Sequence, residues 1–253
     1  MLAAVGARDG SPDPPEPAPE GAAESTASPP ARDAALGFGR AVHELLEGSA
    51  RAGWSAPTAA EVGATLLREG GAVEAVPRAI ELTEAWLGSP LLAELVAAGV
   101  SFRPEVPFRV ELAGGTVLRG TIDLLCELPG EPPLVLDFKT DAQTPGAGAE
   151  LSPGYTIQRS LYAHAISAAT GSDRVASAYV FLADVHNPVR TVLDRGEIDA
   201  GTERIEAIVG RIRAREFKPS PEPHAALCHD CPARARLCPH PPELTLATRP
   251  GAA

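Results

Sequence analysis

Asp123, Asp137 and Lys139 are ionisable residues inside two runs that otherwise read as buried strands, GTIDLLCEL and PLVLDFK, with the Pro/Gly-rich turn LPGEPP between them. Side chains alternate along a strand, so Asp137 and Lys139 share one face while Leu136 and Phe138 take the other. The short turn lays the first run antiparallel beside the second and brings Asp123 near Asp137. Two carboxylates in partly apolar surroundings repel and raise each other's pKa unless something positive sits between them. A divalent cation supplies that charge, and carboxylate oxygens with water suit Mg²⁺ or Mn²⁺. Lys139 is placed to neutralise a phosphate oxygen or orient an attacking water. A metal that activates water, beside a lysine that stabilises negative charge, is the equipment of phosphodiester hydrolysis. The plainer reading is an internal salt bridge on a solvated strand face, the default for an Asp-x-Lys pair standing alone.

The cation count sharpens the point. Lys139 and Lys218 are the only lysines in 253 residues, and arginine supplies the remaining basic side chains. A lysine beside Asp137 therefore stands out against the composition. Net charge is −11, which argues against a general nucleic-acid binder. The exception is RIEAIVGRIRAREFK, locally basic through Arg211, Arg213, Arg215 and Lys218.

These residues need elements to hold them. Residues 1–33 are rich in Pro, Ala, Glu and Ser and read as a disordered tail or linker. Order is expected from about Ala34, where FGRAVHELLEGSARA carries apolar residues at helical spacing. Further helices are expected near 57–70, 73–87 and 89–98. PEVPFRVEL, TVLRGTIDLLCEL and PLVLDFK then read as consecutive strands of a meander, separated by AGG and LPGEPP. A helix over 153–170, a strand at VASAYVFLA, a weaker one at RTVLD and a helix near 197–215 complete the pattern. The expected fold is α/β: a mixed central sheet flanked by helices, with an N-terminal helical part. The expected boundaries are 34–240 for the folded domain, including a Cys-rich tail at 219–240, and 241–253 for a disordered end. No apolar run spans a bilayer, and the N-terminus lacks the blocks of a signal peptide, so a cytoplasmic protein with no membrane association is expected. No GxxxxGK[ST] phosphate loop is present, so no NTP-driven motor is visible.

GTID followed by LDFKT resembles the core of the PD-(D/E)xK nucleases. The closer resemblance is to the RecB-like branch, found at the C-terminal end of helicase–nuclease subunits such as RecB and AddA and in Cas4-like proteins. That branch has a helical GxxxH segment upstream, here GRAVH with His43. It has a Glu in the preceding strand, here PEVPF with Glu105. It has a QxxxY helix downstream, here QRSLY with Gln158 and Tyr162. The resemblance runs from about Gly37 to about Cys238. It implies that His43, Asp123, Asp137 and the Phe138 carbonyl ligate the metal and that Lys139 is catalytic. Glu105 would assist at the metal, and Gln158 and Tyr162 would position the DNA strand or the lysine. It implies a Mg²⁺- or Mn²⁺-dependent deoxyribonuclease that trims DNA ends, fed by a helicase subunit or domain during double-strand-break repair and recombination. Three rivals stand beside it: a catalytically silent nucleic-acid-binding module, a Cas4-like stand-alone nuclease, and a structural or interaction domain, which leaves the buried carboxylates unexplained. Bland readings exist for single residues. His43 with Glu44 can be an exposed helix pair, Tyr162 a core aromatic with Tyr155 its alternative, and Glu105 a surface acid. His164 reads as the outer face of its helix.

CHDCPARARLC places Cys228, Cys231 and Cys238 at soft-metal spacing. The resemblance implies a use for such a tail: in some relatives it holds a [4Fe–4S] cluster, with the fourth cysteine normally upstream of the histidine helix. No cysteine precedes His43 here, and Cys126 faces away from Asp123 by alternation. Three readings stay open: a cluster with another fourth ligand, Zn²⁺ held with His224, His229 or His240, or a relic that packs without metal.

Overall fold

The structure is a computed structural model that describes residues 29–140, 153–228 and 231–248. The expected disordered start up to residue 28, residues 249–253 and His229 lie outside the described residues. Four helices come first: α1 (Pro29–Arg51), α2 (Ala59–Arg68), α3 (Val76–Leu87) after a 3₁₀ turn at Val73–Ala75, and α4 (Pro90–Ala97). Strands β1 (Ser101–Leu112), β2 (Thr116–Glu127) and β3 (Leu134–Lys139) follow. Then come α5 (Pro153–Thr170), β4 (Arg174–Phe181), β5 (Val189–Asp194) and α6 (Arg195–Arg213). Two short helices, α7 (Ala225–Cys228) and α8 (Pro242–Thr245), punctuate the tail.

The helix starts are marked by chemistry. Thr58 and Glu61 form a reciprocal capping box on α2, as do Asp194 and Glu197 on α6. Ser89 caps α4, with Pro90 in the first turn, where no N–H is missed. Gly37 lets α1 lie against the end of α2, because a Cβ there would meet the Glu69 carbonyl oxygen at 2.6 Å.

The sheet order is β1-β2-β3-β4-β5. β3 and β4 are parallel, and the other neighbours are antiparallel. A parallel pair needs a crossover, which α5 supplies. One face of the sheet packs Leu124, Cys126, Leu136 and Phe138 against α1–α4, around Val42 and Trp86. The other packs Ile122, Leu125 and Val135 against Tyr162 and Ile166 of α5 and Ile198 of α6. This is the expected mixed sheet flanked by helices. His164 does not lie on an outer face: Thr202 of α6 covers it, with Oγ1 3.0 Å from Nδ1. The two helices meet this closely because Gly201 has no side chain, and a Cβ there would sit 2.8 Å from Ser160. Among the described residues no helix is long and apolar enough to cross a membrane.

Strand alternation fails at one place. Phe102 pairs with Cys126 and Val106 with Ile122. Residues four apart in a regular strand share a face. Here the first pair joins the α1–α4 core and the second the α5–α6 core. The phase turns over between them, at Glu105 and Asp123, and Glu105 has φ 48°, in the left-handed region that non-glycine residues rarely occupy.

Candidate active site

The site forms where the sheet splits. The β2–β3 ladder pairs Leu124 with Leu136, Leu125 with Val135 and Cys126 with Leu134, and ends there. β2 continues with β1 alone. The Phe138 N–H, left without a backbone partner on that side, donates instead to Asp123 Oδ2 at 2.8 Å. One carboxylate oxygen thus closes the gap in the ladder and fixes the side chain at the mouth of the split.

Helix α1 delivers His43 into the opening. Its Nδ1 lies 3.5 Å from Asp123 Oδ2 and its Nε2 3.1 Å from the Phe138 carbonyl oxygen. Burial lowers the imidazole pKa, but the hydrogen bond and charge of Asp123, with Asp137 and Glu105 behind it, leave it raised overall. His43 is therefore not an exposed partner of Glu44, whose carboxylate pairs with Arg68 of α2.

Glu105 and Asp123 lie between the pairs Pro104–Leu124 and Val106–Ile122 of the β1–β2 register and do not themselves pair in it. The left-handed backbone of Glu105 turns the strand phase at this point. His43, Glu105 and Asp123 then each offer a ligand atom, all within 4.8 Å of one another. Burial, and then Asp123, raise the Glu105 carboxyl pKa. The three line an open cleft of about 850 Å³ with Gly39, Arg40 and Glu47. The strain has a measurable counterpart. Glu105→Gly is expected to raise metal-free stability by about 0.5–1 kcal/mol, as relief of the left-handed strain outweighs the added chain entropy. It is expected to weaken Mn²⁺ binding at least tenfold. Thermal unfolding without metal, with a Mn²⁺ titration beside it, checks both; a fall in metal-free stability would show that the backbone there is not strained for the carboxylate's sake.

Lys139 sits on the other side of the split, facing α5. Its Nζ is 2.6 Å from Asp137 Oδ2 and donates to Gln158 Oε1 at 3.1 Å. Gln158 Nε2 in turn donates to the Tyr162 hydroxyl at 2.9 Å. Gln158 and Tyr162 are four apart, so one helix face presents both. The ammonium lies 4.8 Å from the Tyr155 ring centre and 5.5 Å from that of Tyr179. Tyr179 is held by donating its hydroxyl to the Tyr155 carbonyl at 2.6 Å. Asp137 is 2 % exposed. Burial first, and then Asp123, push its carboxyl up to about 6 against the pull of Lys139. Its Oδ2 is answered by the Lys139 ammonium, which is the charge that keeps this buried carboxylate in place.

The structure thus brings together His43, Asp123 and the Phe138 carbonyl as expected, with Glu105 directly among them. Asp137 pairs with Lys139 and stands behind that group. Tyr155 was offered from sequence only as an alternative to Tyr162, and Tyr179 was not assigned to the site. Tyr179 is a strand-β4 residue whose place beside Asp137 depends on the β3–β4 register. Cys228, Cys231 and Cys238 are free thiols and form no ligand group among the described residues. Cys126 is buried in the α1–α4 core, where burial pushes its thiol up to about 12.

A family model described as the PD-(D/E)XK nuclease superfamily matches residues 20–239. The chain belongs to that superfamily. The matched stretch includes the split, with Asp123 on β2 and Asp137, Phe138 and Lys139 on β3. No curated protein matches the chain. Among solved structures, a provisionally named exonuclease from Eubacterium rectale is 19% identical, with a TM-score of 0.46, over 83% of this chain and 76% of that one. SSO0001 is 18% identical, with a TM-score of 0.35, over 66% of this chain and 79% of that one. PD-(D/E)XK nucleases use divalent metals. The donor set fits one: an imidazole and two carboxylates converge, and the carboxyl groups of Glu105 and Asp137 are held above their ordinary range.

Proposed function

We propose that the chain is a Mg²⁺- or Mn²⁺-dependent deoxyribonuclease that degrades DNA from its ends. The observation that carries this is the split between β2 and β3, with ligand-type side chains on one side and a fully engaged lysine on the other. His43, Glu105 and Asp123 would hold the ion, with the Phe138 carbonyl as a further donor and Asp137 completing the set. The bound metal supplies Lewis-acid polarisation of the phosphate and a lowered pKa for its water. Asp137, Gln158 and the Tyr155 ring hold the Lys139 ammonium in one place, where it offsets negative charge developing on the phosphate. Tyr162 fixes the Gln158 amide and so the lysine's acceptor.

The finer reading follows from the motif order GRAVH, PEVPF, GTID, LDFKT and QRSLY, which supports a RecB/AddA-like, Cas4-related domain within 34–240. Such a domain would receive its strand from a helicase subunit or domain in double-strand-break repair and recombination. A net charge of −11 suits a domain handed its DNA rather than one that captures it alone. The tail cysteines Cys228, Cys231 and Cys238 would hold a [4Fe–4S] cluster or Zn²⁺.

The test is cleavage of end-labelled single- and double-stranded DNA with Mg²⁺ or Mn²⁺, with EDTA as control. Metal-dependent shortening from the ends is expected. Intact substrate, with no thermal stabilisation by either ion, would overturn the nuclease reading. Iron and zinc analysis of the same preparation tests the tail, and absence of both removes the cluster and the zinc site together.

A further inference from the structure

Arg109 and Arg119 are directly opposite each other in the β1–β2 ribbon. Both are exposed. Neither has an ion-pair or hydrogen-bond partner among the described residues. Like charges facing each other across an antiparallel pair destabilise it, so folding alone gives no reason for this arrangement. Glu111, two residues along β1, forms no ion pair with either arginine among the described residues.

Their position supplies a reason. In β2, Arg119 and Thr121 alternate onto the face opposite Gly120 and Ile122, and Asp123, where the phase turns over, meets His43 of α1. Ile122 packs against Tyr162 of α5, and the Phe108 ring lies over Gly120, 2.5 Å from where a Cβ would be. The ribbon's inner face is therefore filled, and the arginines stand on the outer face, along the ribbon from Asp123. Four residues of strand separate Arg119 from Asp123, roughly 13 Å at about 3.3 Å per residue. Over most of that length the face carries only Thr121 and Pro107, which hold no charge.

The geometry points to Arg109 and Arg119 as a clamp for the backbone phosphates of the nucleic-acid strand whose scissile bond lies at the split. Two guanidiniums side by side match the charge and fork geometry of phosphate oxygens. A phosphate bound between them offsets that repulsion with two attractions. The pair lies outside the acidic cleft, so it gives an acidic protein a local hold on a polyanion. The inference rests on the nuclease reading for which strand the clamp holds, although binding itself is measured without cleavage.

The test uses fluorescence anisotropy with a 5′-labelled 20-mer oligothymidylate and the full chain carrying Asp137→Asn, so that the probe survives. Adding Arg109→Ala with Arg119→Ala is expected to weaken binding about tenfold or more at 50 mM salt. The slope of log affinity against log salt should become shallower by about 1.4, two contacts at about 0.7 each for a single strand. The advantage of the intact pair would then shrink about sevenfold between 50 and 200 mM. Arg109→Lys with Arg119→Lys should restore the slope. The melting temperature of the alanine variant should be unchanged or raised, which separates lost contacts from lost fold. Equal affinity and slope in a folded alanine variant overturns the clamp. Cleavage by the unsubstituted chain, read in parallel, keeps the two claims apart: arginine-dependent binding without cleavage supports the clamp and sinks the nuclease reading, and cleavage with arginine-independent binding does the reverse.

Discussion

Lys139→Ala is expected to lower the rate of DNA cleavage about a thousandfold while leaving Mn²⁺ affinity within about threefold of the unsubstituted chain. The two effects separate because the lysine is not in the ligand group. His43, Glu105 and Asp123 converge without it, whereas Asp137 and Gln158 converge on it. Lys139→Arg should fail almost as badly. The ammonium is seated between a carboxylate at 2.6 Å, an amide oxygen at 3.1 Å and an aromatic face at 4.8 Å, a set of contacts fitted to a point charge and not to a longer planar group. Single-turnover cleavage, with Mn²⁺-induced thermal stabilisation in the same preparations, measures both quantities. Loss of the metal-induced shift in a folded Lys139→Ala variant would mean that the lysine builds the metal site rather than acting beside it.

The parts of this arrangement that were legible in the sequence are those set by local rules. Alternation alone put Asp137 and Lys139 on one face and Phe138 on the other, and a short turn alone made β2 and β3 antiparallel. Spacing of four placed Gln158 and Tyr162 together on α5. The N-terminal helices and the meander also followed from periodicity and turn residues. What could not be read are features set by how far the ladders run. The β2–β3 pairing stops at Leu124, and nothing in GTID announces that Asp123 will bond to the Phe138 N–H instead of pairing onward. The resemblance gave Glu105 an assisting place at the metal, but a strand residue between two prolines gives no sign of the left-handed backbone found there. Tyr179 reaches the lysine only through a parallel register formed across a crossover. His164 was misplaced because helix periodicity does not say which neighbour covers a face, and Gly201, the residue that lets α6 approach, lies far along the chain.

Asp137→Asn is expected to abolish cleavage, by at least a thousandfold, and yet to stabilise the metal-free protein at alkaline pH. Asp137 is buried beside Asp123, and its carboxyl titrates at about 6 in the fold against an ordinary value of 3.8. A group whose pKa is raised by folding contributes stability while protonated, below its unfolded pKa. That contribution is lost as pH rises through the folded value. The metal-free chain should therefore lose stability between about pH 4 and pH 6 and stay lower above. The neutral amide has no such titration. It should gain about 1–2 kcal/mol over the unsubstituted chain at pH 8 and nothing at pH 4. Lys139 would lose its carboxylate in the exchange, but it keeps the Gln158 oxygen and the Tyr155 face, so it is not stranded. Denaturant unfolding at the two pH values, with EDTA present, measures the difference. A less stable Asp137→Asn at pH 8 would show that attraction to Lys139, rather than burial and repulsion from Asp123, sets the energy of this carboxylate. The strain at the split would then not be what a divalent cation relieves.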